Sequence, residues 1–200
     1  MTTRDAILDA ALEVMRTRGL AQTTTKEIAR TAGFAEGTLY NVFTDKTDLI
    51  LCVLAERLPR IAIMTDGVAD LVGKNSVKEN LTTIVVEIAR CYRAVLPMVM
   101  ALFSDMELLA RETEASRSRG GPGPGVIVHY VGEYLRGEQA SGRVSATMSV
   151  DAAAMTLVGA CMHDAYLGSF SDRGPSEDQE AAFAPLAEGI VATVLHGICS

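Results

Sequence analysis

The chain has 200 residues, of which 48% are apolar, and its 25 acidic residues outnumber its 18 basic ones to give a net charge of −7. This composition is enough for one or two domains with a buried core, and it excludes a largely disordered chain. The acidic balance excludes a protein that coats nucleic acid with its whole surface. No uncharged apolar run approaches the roughly 18 residues of a membrane helix, and the N-terminus lacks a signal-peptide pattern, so we expect no membrane partner.

Charge and cysteine placement narrow the class further. Residues 1–60 carry eight basic and eight acidic residues, so the whole excess of negative charge lies in 61–200. The N-terminal part is therefore locally neutral and compatible with a small nucleic-acid contact. The four cysteines are far apart, with no Cys-x-x-Cys pair and no histidine at zinc-finger spacing. We expect free thiols in a reducing cytoplasm, no bound metal and no cofactor.

Apolar residues recur at helical spacing along nearly the whole chain, and no segment shows the sustained alternation of apolar and polar residues that marks a strand. This pattern predicts an all-α fold of about nine helices. A first helix is predicted over 4–19. Thr24, with a glutamate three residues later, has the spacing of a capping box and opens a short second helix that ends at Gly33. A short third helix is predicted over about 35–43, and Asp45 is placed to cap a fourth.

Longer helices are predicted beyond residue 73. Ser76 and Glu79 form another capping box, and Pro97 marks a kink or a fresh start. The predicted helices cover about 76–96, 98–116, 126–140, 150–169 and 178–198. The glycines and prolines of 118–125 predict a loop. A phosphate-binding loop is disfavoured there, because no strand precedes it and no Gly-Lys-Ser/Thr follows it.

Two short helices joined at Gly33 form the pattern of a helix-turn-helix, whose second helix lies in the major groove of DNA. On the third helix Leu39 and Phe43 point to the core, and the opposite face is small and polar. Lys46 lies in the first turn of the next helix, where a cation is unfavourable unless it meets an anion. The predicted DNA-binding residues are Thr24, Thr25, Gly37, Thr38, Tyr40, Asn41 and Lys46. The alternative is that these side chains only solvate a helical surface.

At these residues the sequence resembles the tetracycline-repressor (TetR) family of bacterial transcription regulators, over roughly residues 4–52. The chain departs from the family pattern at Ala35, where a capping Ser or Thr is usual, at Glu36, where a basic residue is frequent, and at Val42, where an aromatic residue or His is frequent. The matching residues are Thr24-Thr25, Ile28-Ala29, Ala32-Gly33, the Gly-Thr-Leu-Tyr of 37–40, Phe43, Lys46 and Leu49.

The resemblance implies a three-helix helix-turn-helix domain, which we place at 1–50, and a larger all-helical domain at 51–200 that binds a ligand and dimerises. It implies a homodimeric repressor that an apolar small molecule releases from a palindromic operator. Ala35, Glu36 and the acidic C-terminal part prompt a competing hypothesis, a ligand-binding or interaction protein that has lost its operator. We expect no enzyme, because His163 and the aspartate after it lack the further ligands of a metal hydrolase.

The C-terminal helices supply candidates for the two implied activities. Six of the nine methionines lie between residues 98 and 162, and we expect an apolar cavity of roughly 300–1,000 Å³ among the helices of 76–168. Plain core packing is the alternative for the candidate ligand-binding residues, which are Tyr92, Arg93, Met98, Phe103, Met106, Tyr130, Tyr134, Met155, Met162, His163 and Tyr166.

The last helix has an apolar stripe too wide for one core face, and the helix before it is rich in small residues that permit close approach. Both features predict a four-helix dimer interface, unless the two helices pack entirely inside one monomer. The candidate interface residues are Ala153, Gly159, Ala160, Leu167, Leu186, Ile190 and Val194.

Overall fold

The computed structural model describes residues 1–57, 70–103, 105–118, 125–170 and 177–196, and these residues form nine α-helices and no strand. The all-α fold expected from the sequence is confirmed. Most of the loop expected over 118–125 lies outside the described residues. The helices are α1 (Thr3–Arg18), α2 (Thr25–Ala32), α3 (Glu36–Tyr40), α4 (Lys46–Glu56), α5 (Val77–Leu102), α6 (Met106–Ser118), α7 (Val126–Ala140), α8 (Val150–Gly168) and α9 (Glu177–His196).

The chain divides into two compact units. Unit 1 consists of Met1–Pro59 together with Pro97–Gly121, and unit 2 consists of Arg60–Leu96 together with Pro122–Ser200. Unit 1 therefore contains α1 to α4, the last turns of α5, and α6. The division into domains at residue 50 stays a prediction.

Unit 1 has its own apolar core, which α1 fills with one face because its apolar residues recur at helical spacing. Ion pairs join α1 to the end of α4: Arg57 binds Asp5 and Asp9, each at 2.7 Å, and Arg4 binds Glu56 at 2.6 Å. The fully buried side chains of this core include Ile7, Leu8, Met15, Ile28, Leu39 and Leu49.

Unit 2 surrounds a second core, in which Cys161 is fully buried and its Sγ donates a hydrogen bond to the carbonyl of Val85 at 3.4 Å. Glu138 is also fully buried, and it pairs with Arg143 at 3.3 Å. A buried carboxylate needs such a partner, because its charge is costly to remove from water. The large apolar residues of this core include Leu81, Ile88, Leu135, Leu157, Phe183 and Val191.

The capping residues expected from the sequence begin their helices as predicted. The Asp45 side chain accepts the N–H of Asp48 at 2.7 Å, and the Ser76 Oγ accepts the N–H of Glu79 at 3.1 Å. Glu79 Oε2 in turn accepts a hydrogen bond from the N–H of Ser76 at 3.0 Å, which completes the capping box.

The prediction of a separate helix over 98–116 is wrong. α5 continues through Pro97 to Leu102, and α6 begins after Asp105, whose Oδ1 accepts the N–H of Leu108 at 3.0 Å. Proline removes one helical hydrogen bond and crowds the preceding turn. Burial of the two neighbours of Pro97, Leu96 and Met98, offsets that cost.

Candidate nucleic-acid interface

The turn between α2 and α3 is built by Gly33, which adopts the left-handed conformation with φ 77° and ψ 25°. Glycine reaches this region without the steric cost that other residues meet. The N–H of Phe34 donates to the carbonyl of Ala29 at 2.9 Å and so closes the end of α2. This turn directs the chain straight into α3.

Two apolar side chains fix α3 on the core of unit 1. Leu39 and Phe43 are 2% and 4% exposed, as the helical wheel predicted. The helix is shorter than expected, because it ends at Tyr40 and residues 41–43 continue as a turn in which the N–H of Phe43 donates to the carbonyl of Leu39 at 2.8 Å. Because both anchors lie on one side, the opposite side of α3 faces outward.

The seven predicted DNA-binding residues lie at or near the surface of unit 1. Tyr40 keeps 53% of its surface exposed. Four of the seven are exposed and three are half-buried: the exposed ones are Thr24, Gly37, Tyr40 and Asn41, and the half-buried ones are Thr25, Thr38 and Lys46. This surface, extended by the neighbouring Glu36, is called the reading face below.

Side-chain contacts join the start of α2 to α3 across the reading face. The Thr25 hydroxyl donates to Glu36 Oε1 at 2.5 Å, and the Tyr40 hydroxyl donates to Thr25 Oγ1 at 3.4 Å. The structure thus brings together Thr25 and Tyr40, two residues predicted to contact DNA, and adds Glu36, which was not among them. A carboxylate three residues after the turn was the signal in the sequence, but its partner on α2 is visible only in the fold.

The start of α3 lacks the side-chain cap that Ser or Thr provides. Ala35 occupies the capping position with extended backbone and makes no side-chain hydrogen bond there. The loss of such a cap costs about 1 kcal/mol. α3 is therefore held by its two apolar anchors and by the contact between Glu36 and Thr25.

Lys46 lies beside a cavity of about 430 Å³ within unit 1. Of the residues predicted to bind a ligand, Met106 lines this cavity, and Asp105 brings a carboxylate to the same wall. The adjacent Asp45 pairs with Arg111 of α6 at 3.1 Å. The complete lining is Leu20, Ala21, Lys46, Ile50, Ala101, Asp105, Met106 and Leu108.

The other candidate ligand-binding residues lie in four different environments. Phe103 is exposed, and Met98 is buried in the core of unit 1. The residues Met155, Met162, His163 and Tyr166 are exposed on α8. The remaining residues belong to unit 2. Tyr134 is buried there, and the half-buried ones are Tyr92, Arg93 and Tyr130.

Within that last group, Arg93 is paired with Asp164 at 2.5 Å and lies 5.0 Å from the ring centroid of Phe183. Burial raises the pKa of Tyr92 and of Tyr134 to about 12 each. Tyr134 accepts a hydrogen bond from the Asn80 amide at 3.0 Å. Arg93 and Tyr134 are satisfied by neighbours within unit 2, and the role of all three residues in ligand binding stays a prediction.

The candidate dimer-interface residues divide between the core and the surface. Ala153 is buried in the core of unit 2, and Ile190 and Val194 pack against it. Gly159, Leu167 and Leu186 are exposed, and Ala160 is half-buried. The sequence placed Met155, Met162 and Tyr166 in a ligand pocket, whereas the structure places them beside Gly159 on the exposed face of α8, with one residue every three or four positions.

The described part of the chain contains neither a membrane-spanning helix nor a cluster of metal ligands. None of its helices is both long enough and apolar enough to cross a bilayer. No group of three or more His, Cys, Asp or Glu side chains is arranged to hold a metal ion in the same described segments.

Comparison with known proteins agrees with this geometry. Residues 7–53 match the family "Bacterial regulatory proteins, tetR family". The chain is 32% identical over 79 residues to the fatty acid metabolism regulator protein of Bacillus subtilis, an alignment that covers 40% of this chain and 40% of that protein. The resemblance to the TetR family is confirmed over this N-terminal segment. The matched part spans less than half the length of that relative.

Solved structures resemble the chain over nearly its whole length. The transcriptional regulator FadR of Bacillus subtilis in complex with stearoyl-CoA has a TM-score of 0.68 at 21% identity, with 98% of this chain and 99% of that chain covered. A putative TetR-family transcriptional regulator from Mesorhizobium loti has a TM-score of 0.75 at 18% identity, with 96% and 95% covered. At this identity the likeness shows the fold.

Proposed function

We propose, from a TetR-type helix-turn-helix at residues 7–53, that this chain is a homodimeric transcription regulator released from its operator by an apolar small molecule. The observation that carries the proposal is the reading face. It combines a small, exposed helix surface with two buried anchors, Leu39 and Phe43, on the other side. A recognition helix needs both properties, because it must enter the major groove while its orientation stays fixed.

Each element of the reading face has a role in this proposal. Gly37 on α3 and Asn41 directly after it are both exposed, and the small size of glycine permits close approach to base edges. Lys46 and Tyr40 offer a cation and a phenol hydroxyl to phosphates, which position the protein without reading sequence. Thr24, the capping residue of α2, lies where backbone N–H groups also point outward.

Net charge does not oppose this function, because the excess of acidic residues lies in 61–200. The first 60 residues are neutral overall, and the reading face brings Lys46 to the DNA. We therefore expect affinity to depend on a few local phosphate contacts and to fall steeply with salt.

The proposed dimer forms through the exposed face of α8 together with α9. Met162, Tyr166 and Leu167 remain 51%, 44% and 56% exposed in the single chain, and Leu186 of α9 remains 54% exposed. Exposed Met and Tyr side chains are enriched at protein interfaces. The proposed partner of this surface is a second copy of the same chain, since a two-fold dimer presents two reading faces to a palindromic site.

The proposed effector binds in unit 2, whose interior groups include Tyr92, Arg93 and Tyr134. A ligand changes operator affinity only through its different affinity for two states of the protein, and the coupling is typically about 5- to 150-fold. Stearoyl-CoA, which is bound in the solved FadR of Bacillus subtilis, is the first compound to test. Its apolar chain suits an interior lined by aromatic and aliphatic side chains, and its anionic group could compete with Asp164 for Arg93.

An electrophoretic mobility shift with the DNA upstream of the chain's own gene tests the function. We expect a discrete complex that competitor DNA of unrelated sequence does not remove, and release of that DNA when the effector is added. The competing function, an interaction protein without an operator, is favoured by the uncapped Ala35 and the acidic Glu36. It predicts no discrete complex at any salt concentration, together with retained ligand binding.

A further inference from the structure

Glu36 is a carboxylate on the surface that is proposed to meet DNA. It is the first residue of α3 and is exposed. Phosphates repel a carboxylate, and so do the acceptor atoms that guanine and thymine present in the major groove. A reading face with this residue at its edge therefore disfavours most DNA sequences unless a donor is offered to it.

The carboxylate is held in place by the neighbouring helix. Thr25 Oγ1 lies 2.5 Å from Glu36 Oε1, and because an ionised carboxylate only accepts hydrogen bonds, the threonine is the donor. A hydroxyl has one proton to donate. Thr25 therefore cannot donate to a phosphate while it donates to Glu36, which changes the role expected for it from the sequence.

Tyr40 extends the same chain of hydrogen bonds. Without DNA its hydroxyl donates to Thr25 Oγ1 at 3.4 Å, so the three side chains form a chain of hydrogen bonds that ends on the carboxylate. Because a hydroxyl has one proton to donate, Tyr40 gives up this long contact when it donates to a phosphate. The contact across 11 residues fixes where Glu36 lies relative to α2. A charge fixed in this way has a defined position on the reading face, as a base-reading group requires.

The bases limit what such a group can read. In the major groove cytosine presents an amino group as its donor, and Glu and Asp accept a hydrogen bond from it. Adenine also presents an amino group, but beside the N7 acceptor, which a carboxylate does not suit and an amide does. Cytosine is therefore the base that fits Glu36.

We infer that Glu36 is a specificity-determining residue that accepts a hydrogen bond from the amino group of one cytosine in each half-site. Thr25 is its positioning residue. The same negative charge lowers affinity for all other DNA. The inference rests on the proposed DNA-binding function and adds a base preference to it.

Selection from a random DNA library, followed by fluorescence anisotropy on the selected duplex and its single-base variants, tests the inference. We expect wild type to select a two-fold symmetric motif with one cytosine per half-site whose replacement weakens binding roughly 5- to 150-fold, the usual cost of one good base contact. Glu36→Gln is expected to change that preference to adenine, because an amide both donates and accepts. It should also bind unrelated DNA roughly fivefold more tightly, since one charge repelled by phosphate is gone.

Two further variants separate reading from charge. Thr25→Val keeps the carboxylate and removes its hydrogen bond, so the cytosine preference should weaken without tighter binding to unrelated DNA. Glu13→Gln makes the same change of charge at an exposed site on α1 and should leave every base preference unchanged. Circular dichroism spectra that match wild type establish that each variant is folded.

The outcomes distinguish the two proposals. If wild type selects a motif and Glu36→Gln selects the same motif with the same preference at every position, Glu36 reads no base and the inference is overturned alone. If wild type selects no motif, the proposed function is overturned together with it. A preference that changes equally in Glu13→Gln would assign the effect to net charge and also overturn the inference.

Discussion

Gly33 and Gly37 lie four residues apart and meet different demands. Gly33 has φ 77°, a conformation that L-residues rarely adopt, although an added Cβ would meet no atom within 4 Å. Gly37 lies within α3, and a Cβ there would likewise meet nothing. The first glycine is therefore required by the backbone, and the second is available for contact with DNA.

This contrast gives a paired prediction. Gly33→Ala should lower the free energy of unfolding by about 1–2 kcal/mol, the cost of the left-handed conformation for a residue with a Cβ. Gly37→Ala should raise it by up to about 1 kcal/mol, because alanine favours helix, and should nevertheless weaken DNA binding through its methyl group. Urea denaturation and anisotropy measure the two quantities. A loss of stability in Gly37→Ala would contradict its assignment to the DNA-facing side.

Lys46 and Tyr40 are expected to contact phosphates, which are the same in every sequence. Lys46→Ala should weaken binding to all duplexes by a similar factor and reduce the slope of log affinity against log salt by about 1. Tyr40→Phe should also weaken all sequences alike, whereas changes at Thr38 or Asn41 should alter base preference. Lys74→Ala in unit 2 is the control. Unchanged affinity of Lys46→Ala at physiological salt would remove that residue from the interface.

At the scale of the helix, the sequence predicts features that depend on neighbouring residues, such as where a helix begins. It does not predict features that depend on packing between helices. The caps at Thr24, Asp45 and Ser76 depend on residues within the same turn, and all three are present. The continuation of α5 through Pro97 depends on burial of its neighbours, which a local pattern does not contain. The sequence divided the exposed residues of α8 between a dimer interface, with Gly159 and Leu167, and a ligand pocket, with Met162. A helix that is apolar on several sides leaves its core-facing side undetermined.

Helix caps and ion pairs predict how stability responds to acid. Hydrogen bonds from Thr2 and Arg57 lower the pKa of Asp5 from 3.8 to about 2. Arg4 lowers the pKa of Glu56, and the backbone N–H of Asp48 lowers that of Asp45. A carboxyl whose pKa is lower in the folded state than in the unfolded state stabilises the fold above the unfolded value. That stabilisation is lost as the pH falls through the folded value.

We therefore expect the free energy of unfolding to decrease as the pH falls from above the ordinary values of 4.5 for Glu and 3.8 for Asp to about 2. The Asp5→Asn variant keeps a hydrogen-bond acceptor and lacks the charge. The difference in stability between this variant and wild type should be largest at neutral pH and should shrink toward pH 2. Denaturation curves across this range measure it, and a difference independent of pH would contradict the assigned cause.

For the whole molecule, the proposed dimer depends on one exposed face of unit 2. Met162→Glu should shift the chain from dimer toward monomer, because association would bury an unpaired carboxylate. Met100→Glu, at a methionine with similar exposure, is the matched control, since Met162 is 51% and Met100 48% exposed. Sedimentation velocity at micromolar concentration reports the state. A Met162→Glu variant that remains dimeric would move the interface elsewhere, and a monomeric wild type would refute the dimer.

Cys161 is fully buried in unit 2, so the rate at which its thiol is labelled reports how often that unit opens. Burial raises the pKa of its thiol to about 12, and only the thiolate reacts readily with alkylating reagents. Iodoacetamide should therefore label Cys161 only when unit 2 opens, and the labelling rate converts into an opening free energy. Half-buried Cys52 and Cys91 should react sooner. A molecule that binds inside unit 2 should slow the labelling of Cys161 in proportion to its occupancy, so mass spectrometry can rank effectors before any operator is known.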